Sequence, residues 1–307
     1  MLPLRLRRTL SSRPRNVADE SQDVPADVTA SKGETEGELP GLWDVLKVRY
    51  LLQWKVRDGL PTELVDAIID AAEYWPSMEC HMDGDERVIG KDRDQTLMKT
   101  VPLCYERQAS LSASLYLGIF QLIESGFLLE GPVSPRPLPH RTAHPCRKIV
   151  FQLSSHDQGF GRFRDNMYEC SWTWFDTEVI RGAHTRNMYV DGVEQEILDN
   201  EKGRVKKNYT PADELLLPRD NKLQVNGARV AEMQDRVITW HYLDNIAPES
   251  EKAYHIERTQ GRGRLTLDGR GVRELEVGDS IALWARARFP GWANHVSQAS
   301  IRIFWAV

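Results

Sequence analysis

The chain has 307 residues, 41% of them apolar, which can supply one large core or two modest ones. Its net charge of −5 at pH 7 and sequence pI near 6.0 leave no global basic surface of the kind that phosphate backbones require, so nucleic acid is not an expected partner. The four cysteines, Cys80, Cys104, Cys146 and Cys170, are far apart and form no C-x-x-C pair. With no secretory apolar segment ahead of them they read as thiols of a reducing, intracellular compartment, with no disulfide framework.

The first stretch, MLPLRLRRTLSSRPRN, carries Arg5, Arg7, Arg8, Arg13 and Arg15 and no acid, the composition of a mitochondrial presequence. Pro3 and Pro14 oppose the amphipathic helix such a segment needs. Followed by an acidic stretch over 19–38, it reads as a disordered basic then acidic tail over 1–40, with a cytoplasmic or nuclear location and the mitochondrion as alternative.

GLWDVLKVRYLLQWKVRDG (41–59) places Trp43, Leu46, Tyr50 and Trp54 at helical spacing and Gly59 at a helix C-terminus, which predicts a first helix. LPTELVDAIIDAAEYW (60–75) predicts a second. Pro61 sits in its first turn, Glu63 and Asp66 near the positive end of its dipole, and Leu64, Val65, Ile68, Ile69 and Ala72 on one face.

The polar, turn-rich run 76–95 is expected as a surface loop. LSASLYLGIFQLIESGFLL (111–129) is expected as a buried helix, because its uninterrupted apolar part is shorter than the roughly 20 residues that span a bilayer. No membrane span is expected. Amid proline-rich and polar surroundings this passage also reads as an insertion or a mistranslated intron.

Four prolines in GPVSPRPLPH mark a linker over 131–145, separating a helical region, 41–130, from a β domain, 146–307. The β domain is read from RKIVFQLSS, MYECSWTWF, DELLLP, KLQVN, RVITWHYL, RLTLDG, SIALWARARF and SIRIFWAV, period-two segments broken by turn residues. No amphipathic helix is read between them. The expected fold class is therefore α+β, N-terminal helices followed by a mainly antiparallel, jelly-roll-like β-sandwich. Ile281, Leu283, Ala285 and Ala287 share one face and Ala282, Trp284, Arg286 and Arg288 the other. Ile301, Ile303, Trp305 and Val307 point one way, so the last strand is expected in the core and the chain to stop where the sandwich is complete.

Among chemical candidates, Ser155, His156 and Asp157 spell a hydrolase triad in a row. Adjacent residues of an extended chain face opposite ways, and no G-x-S-x-G elbow exists, so they read as the turn leaving a strand. His140, His144 and Cys146 in HRTAHPC have zinc-ligand chemistry, but Pro145 opposes a helical pairing of the histidines; His81 near Asp83 and Asp85 is no stronger. GFGRF and GRGR are neither G-x-G-x-x-G nor P-loop. No cofactor and no metal are expected.

The aromatic residues carry the stronger signal. Trp172 and Trp174 alternate with Tyr168 and Cys170 onto one face, Trp240 flanks His241, and Trp284 stands beside Arg286 and Arg288. Core filling is the simpler reading; the functional one is a surface that stacks a sugar ring, an aromatic ligand or a peptide, with His156 and Asp157 contributing.

Three blocks carry a resemblance: LPTELVDAIIDAAEYW (60–75), HPCRKIVFQLSSHDQG with SWTWF (144–175), and GDSIALWARARFPGWANHV with IRIFWAV (278–307). Through them the chain resembles a family of fungal proteins of unknown function. The first block is also similar to the opening helix of an F-box, whose L-P-x-E-L start docks on the adaptor of a cullin ubiquitin ligase. Beyond Trp75 the chain departs from that pattern. The first reading of function is a non-enzymatic adaptor whose sandwich recognises a protein or carbohydrate, with Leu64, Val65, Ile68 and Ile69 engaging a partner, which the F-box resemblance implies is the cullin-adaptor protein. The alternative is an enzyme of unrecognised type in which His156, Asp157, His241 and the tryptophans converge on one pocket.

Overall fold

In the computed structural model, residues 39–90, 94–106, 137–160, 166–169, 171–185 and 222–307 are described. The tail up to residue 38, the apolar passage 111–129, the linker part 131–136, Cys170 and the expected strand DELLLP lie outside them.

Helix α1 (Leu42–Trp54) begins at Gly41, whose N–H donates to the Asp44 carboxylate. The aromatic stripe that predicted it does not form its buried side. Val45 is buried and Leu42, Leu46 and Leu52 pack on the core, whereas Trp43 is 79% exposed and Tyr50 and Trp54 are also exposed. Helix α2 (Thr62–Ala71) buries Val65 and Ile69.

The expected loop 76–95 instead supplies strands. β1 (Ser77–His81) and β2 (Arg87–Gly90) lie end to end along the long β9 (Ala293–Trp305), from Ser77↔Phe304 to His81↔Ser300 and from Arg87↔Val296 to Gly90↔Ala293. β3 (Gln95–Lys99) pairs with β8 (Ser280–Ala287). All three are short and rich in polar residues, so no apolar period marks them.

The remaining elements are β4 (Cys146–His156), β5 (Thr173–Ile180), β6 (Lys222–Val225), β7 (Gln234–His241), α3 (Glu251–Gln260) and α4 (Arg270–Arg273). One sheet runs β1-β9-β4-β7, with β2 on β9; the other runs β3-β8-β5-β6, and the pairings are antiparallel. Counting β1 and β2 as one interrupted strand, this is the order of a jelly roll. The α+β sandwich read from the sequence is the fold of the described residues.

Pairing crosses the segment expected as a linker. Strands from both sides of it share each sheet, and 39–307 is one compact unit. Residues 137–145 are themselves tied down: Leu138 N–H donates to Cys104 C=O, Arg141 N–H to Ala306 C=O, and the Trp305 indole to Pro139 C=O.

Two helices between β7 and β8 were not read from the sequence. α3 is capped by the Ser250 hydroxyl, which accepts from Ala253 N–H, and ends at Gly261 in the left-handed region, φ 70°. RLTLDG, expected as a strand, is a 3₁₀ turn (Arg264–Thr266). Gly263 explains the break: a Cβ there would lie 1.7 Å from the Lys222 carbonyl oxygen, so only glycine lets the chain press against β6.

The core lies between the sheets, filled by Ile149, Phe151 and Leu153 of β4, Phe175 of β5, Trp240 of β7, Ile281, Leu283 and Ala285 of β8, and Ile301, Ile303 and Trp305 of β9. Each large side chain contributes about 1.5–3 kcal/mol through burial. No described helix is long and apolar enough to cross a membrane.

Candidate functional site

A cavity of about 500 Å³ lies beside the second half of β5, the start of β8 and the end of β7. Thr177 and Val179 of β5 and Ile281 of β8 line it from one sheet, Trp240 of β7 from the other, and the segment 265–274 closes one side. Alternation along β5 and β8 puts Thr177, Val179 and Ile281 on the face that elsewhere packs the core. Glu178, Arg270 and Glu274 bring charge to the lining.

The closing segment is held by its own chemistry. Arg273 donates to the carbonyls of Tyr242, Asp244 and Asp268, tying the segment to the end of β7. Gly269 takes φ +70°, and a Cβ there would meet the Asp244 and His241 carbonyl oxygens at 2.7 and 2.8 Å. Trp240 is only 6% exposed, packs edge-on against Phe151 at 4.8 Å, and its Nε1–H has no hydrogen-bond partner. Apolar walls, a few polar groups and this volume are the ordinary make-up of a small-ligand site.

The chain matches no protein-family model, no curated protein and no solved structure among those compared.

Of the tryptophans singled out in the sequence, Trp240 lines this cleft. Trp174 and Trp284 are buried on the other face of the second sheet, where Trp284 packs with Ile180, Ala183 and Ala282. The Trp174 indole donates to Asp176 Oδ1 at 2.9 Å, and the Arg286 guanidinium is bound by both Asp176 and Asp94, 5.0 Å over the Trp284 ring. Burial acts to lower the Arg286 pKa, but the charges and hydrogen bonds of Asp176 and Asp94 outweigh it and raise it. Trp172 and Arg288 do come together, the guanidinium 4.9 Å over the indole and 5.4 Å over Phe289. Burial pushes Arg288 down to about 10, and its Nε has no hydrogen-bond partner.

The residues Ser155, His156 and Asp157 diverge, as adjacent positions of a strand do. The Ser155 hydroxyl turns inward to Asn226, which also donates to Thr173 and Asn294 in a buried polar bridge between the sheets. Asp157 is a turn anchor, accepting from the N–H groups of Gly159 and Arg229, both at 2.7 Å. Burial raises its pKa against the pull of those backbone donors. His241 pairs with Lys148 at the start of β4, whereas His156 ends that strand, so the two imidazoles are separated by about 25 Å of strand rise. His241 packs instead on Tyr242 and Trp75, with Nε2 at 3.4 Å from Glu73. The convergence of His156, Asp157 and His241 on one pocket does not occur. Cys146 is buried, its thiol pushed up to about 12 by burial, while His140 and His144 are exposed and do not join it.

The four candidates on α2 divide by face. Val65 and Ile69 are core, whereas Leu64 and Ile68 are exposed. The reason is the other side of the helix. Asp66 pairs with Arg49 and Arg141, and Asp70 accepts from the Trp75 indole, Arg141 and Arg147, so the carboxylates turn toward the body of the protein. Burial acts to raise the Asp70 pKa, but those hydrogen bonds and the charges of Arg141 and Arg147 override it and hold it below the usual carboxylate value.

The closing segment of the cleft was missed by the reading of the sequence. Its signal was the four glycines of GRGRLTLDGRG, which mark close backbone approach rather than a phosphate cradle.

Proposed function

We propose that this protein is a binding protein of the adaptor type, which docks a partner through its helical layer and holds a ligand in the cleft of the sandwich. The observation that carries the reading is a second apolar strip on α2: Val65 and Ile69 fill the core and arginines pin Asp66 and Asp70, while apolar Leu64 and Ile68 are left facing outward. A surface helix ordinarily carries polar residues on its outward side, so Leu64 and Ile68 there mark a face available to a partner. Exposed Trp43 and Trp54 on α1 add apolar surface to the same layer.

The L-P-x-E-L opening of 60–75 makes the adaptor of a cullin ubiquitin ligase the partner to test. Trp75 is followed by β1 rather than by further helices, so such docking rests on α2 with α1 beside it. The cleft, with its apolar lining and three charged residues, supports a ligand that combines an apolar or ring-shaped part with hydrogen-bonding groups, as a peptide or a sugar does.

The test is a titration of the full chain against the purified cullin adaptor, beside the double variant Leu64→Asp, Ile68→Asp. Saturable binding by the first and none by the second supports the reading. If neither binds, the F-box version is overturned; if both bind equally, α2 is not the docking element.

A further inference from the structure

We propose that Glu86, His156 and His295 form a site for one divalent transition-metal ion of the zinc class, on the outer face of the first sheet. They come from separate segments: Glu86 immediately precedes β2, His156 ends β4, and His295 lies near the start of β9. The sheet brings them together, because His295 is the direct cross-strand partner of His156 on one side and of Val88 on the other. One donor atom from each lies within 4.8 Å of the other two.

Two hydrogen-bonding details suit a metal. Nδ1 of His156 stands 2.5 Å from the Asp157 carbonyl oxygen, which fixes the proton on Nδ1 and leaves the Nε2 lone pair for a ligand. A backbone carbonyl behind a ligating imidazole is the usual way in which proteins orient one. Nδ1 of His295 is 3.4 Å from Glu86 Oε1, a hydrogen-bonded contact in which a metal ion can replace the shared proton. The two rings are stacked, 4.5 Å apart and 8° from parallel. Lone pairs lie in the ring planes, and parallel planes do not meet, so binding requires one ring to turn. His295 has the freedom to do so, being 26% exposed, as does the half-exposed Glu86. Tetrahedral bonds of about 2.0–2.1 Å place two ligating nitrogens about 3.3 Å apart, a short closure from the present spacing.

Two imidazoles and one carboxylate are a borderline nitrogen and oxygen set, which selects zinc-class ions over calcium or magnesium. Three protein ligands leave a fourth position for water or for an atom of another molecule. Exposure gives the ion a way in.

The experiment is calorimetric titration of the full chain, without a histidine tag, with zinc chloride, and absorption spectroscopy with cobalt(II) as substitute. One zinc per chain is expected, lost in His156→Ala and in His295→Ala, and weakened about tenfold or more in Glu86→Gln. His81→Ala is the control, since His81 is exposed with Glu79 at 3.6 Å, and its binding should equal that of the unaltered chain. Affinity should fall on acidification, as protons compete for the imidazole nitrogens. The cobalt spectrum should lack thiolate charge transfer, which separates this site from the buried cysteines. Circular dichroism checks the fold of each variant, and His156→Gln and His295→Gln replace any alanine variant that misfolds. No zinc uptake by the unaltered chain, undiminished uptake by either histidine variant, or undiminished uptake by Glu86→Gln overturns the proposal.

Discussion

Asp176 holds Arg286 across the β5–β8 pair, Oδ2 to Nε at 2.5 Å, with Asp176 fully buried and the Arg286 side chain 4% exposed. A second carboxylate, Asp94, binds the same guanidinium from the segment leading into β3. The guanidinium therefore ties β5 and β8 to the segment that leads into β3. Removing the cation leaves two acids without their shared counter-charge. Arg286→Ala should cost about 3–5 kcal/mol in urea unfolding. Arg286→Lys, which keeps charge but not the forked geometry, should fall between it and the unaltered protein.

Asp70 gives a pH signature. Its folded pKa lies below the ordinary value of 3.8, so the stabilisation it supplies is present above about that pH and is lost as pH falls through the folded value. Asp70→Asn should lower stability at neutral pH by about 1–3 kcal/mol. The difference between the two proteins should close on acidification below the ordinary value. A gap that persists to acid pH would assign the loss to packing rather than to charge.

Neighbouring glycines of the cleft should behave in opposite ways. Gly269→Ala forces a side chain into the left-handed region and against two carbonyl oxygens, and should destabilise by about 1–3 kcal/mol. At Gly271 a Cβ meets only the Trp240 ring, at 3.6 Å, so Gly271→Ala in α4 should be neutral or stabilise by up to about 1 kcal/mol. Thermal melts decide both.

The two faces of α2 should separate stability from docking. Val65→Ala and Ile69→Ala remove core methyls at positions 0% and 2% exposed, and should cost roughly 1–4 kcal/mol. Leu64→Asp and Ile68→Asp should cost less, about 0.5–1 kcal/mol, because the two residues are 47% and 38% exposed and lie outside the core. If the aspartate variants unfold the protein, the apolar face of α2 is structural.

Where apolar residues repeat with a clear period, the sequence was a sufficient guide. β4, β7, β8 and the end of β9 alternate with the period of a strand, and both helices near the start were legible from their spacing and turn chemistry. Which side of those helices faces the core was not legible. The Trp43, Tyr50 and Trp54 stripe of α1 is exposed, because Val45 and its neighbours already fill the contact with the sandwich. The tryptophans were legible as bulk but not as a site: Trp174 and Trp284 pack on one face of the second sheet while Trp240 lines the cleft.

Local pattern alone determined the antiparallel sandwich, its inward residues and the turn at Asp157, because side-chain alternation and turn preferences act between near neighbours in the chain. Only the tertiary structure decided the placement of β1, β2 and β3, the inward turn of Asp66 and Asp70, and the meeting of Glu86, His156 and His295. Each depends on partners tens to hundreds of residues away, and a single sequence carries no local mark of which distant arginine, strand or histidine will supply them.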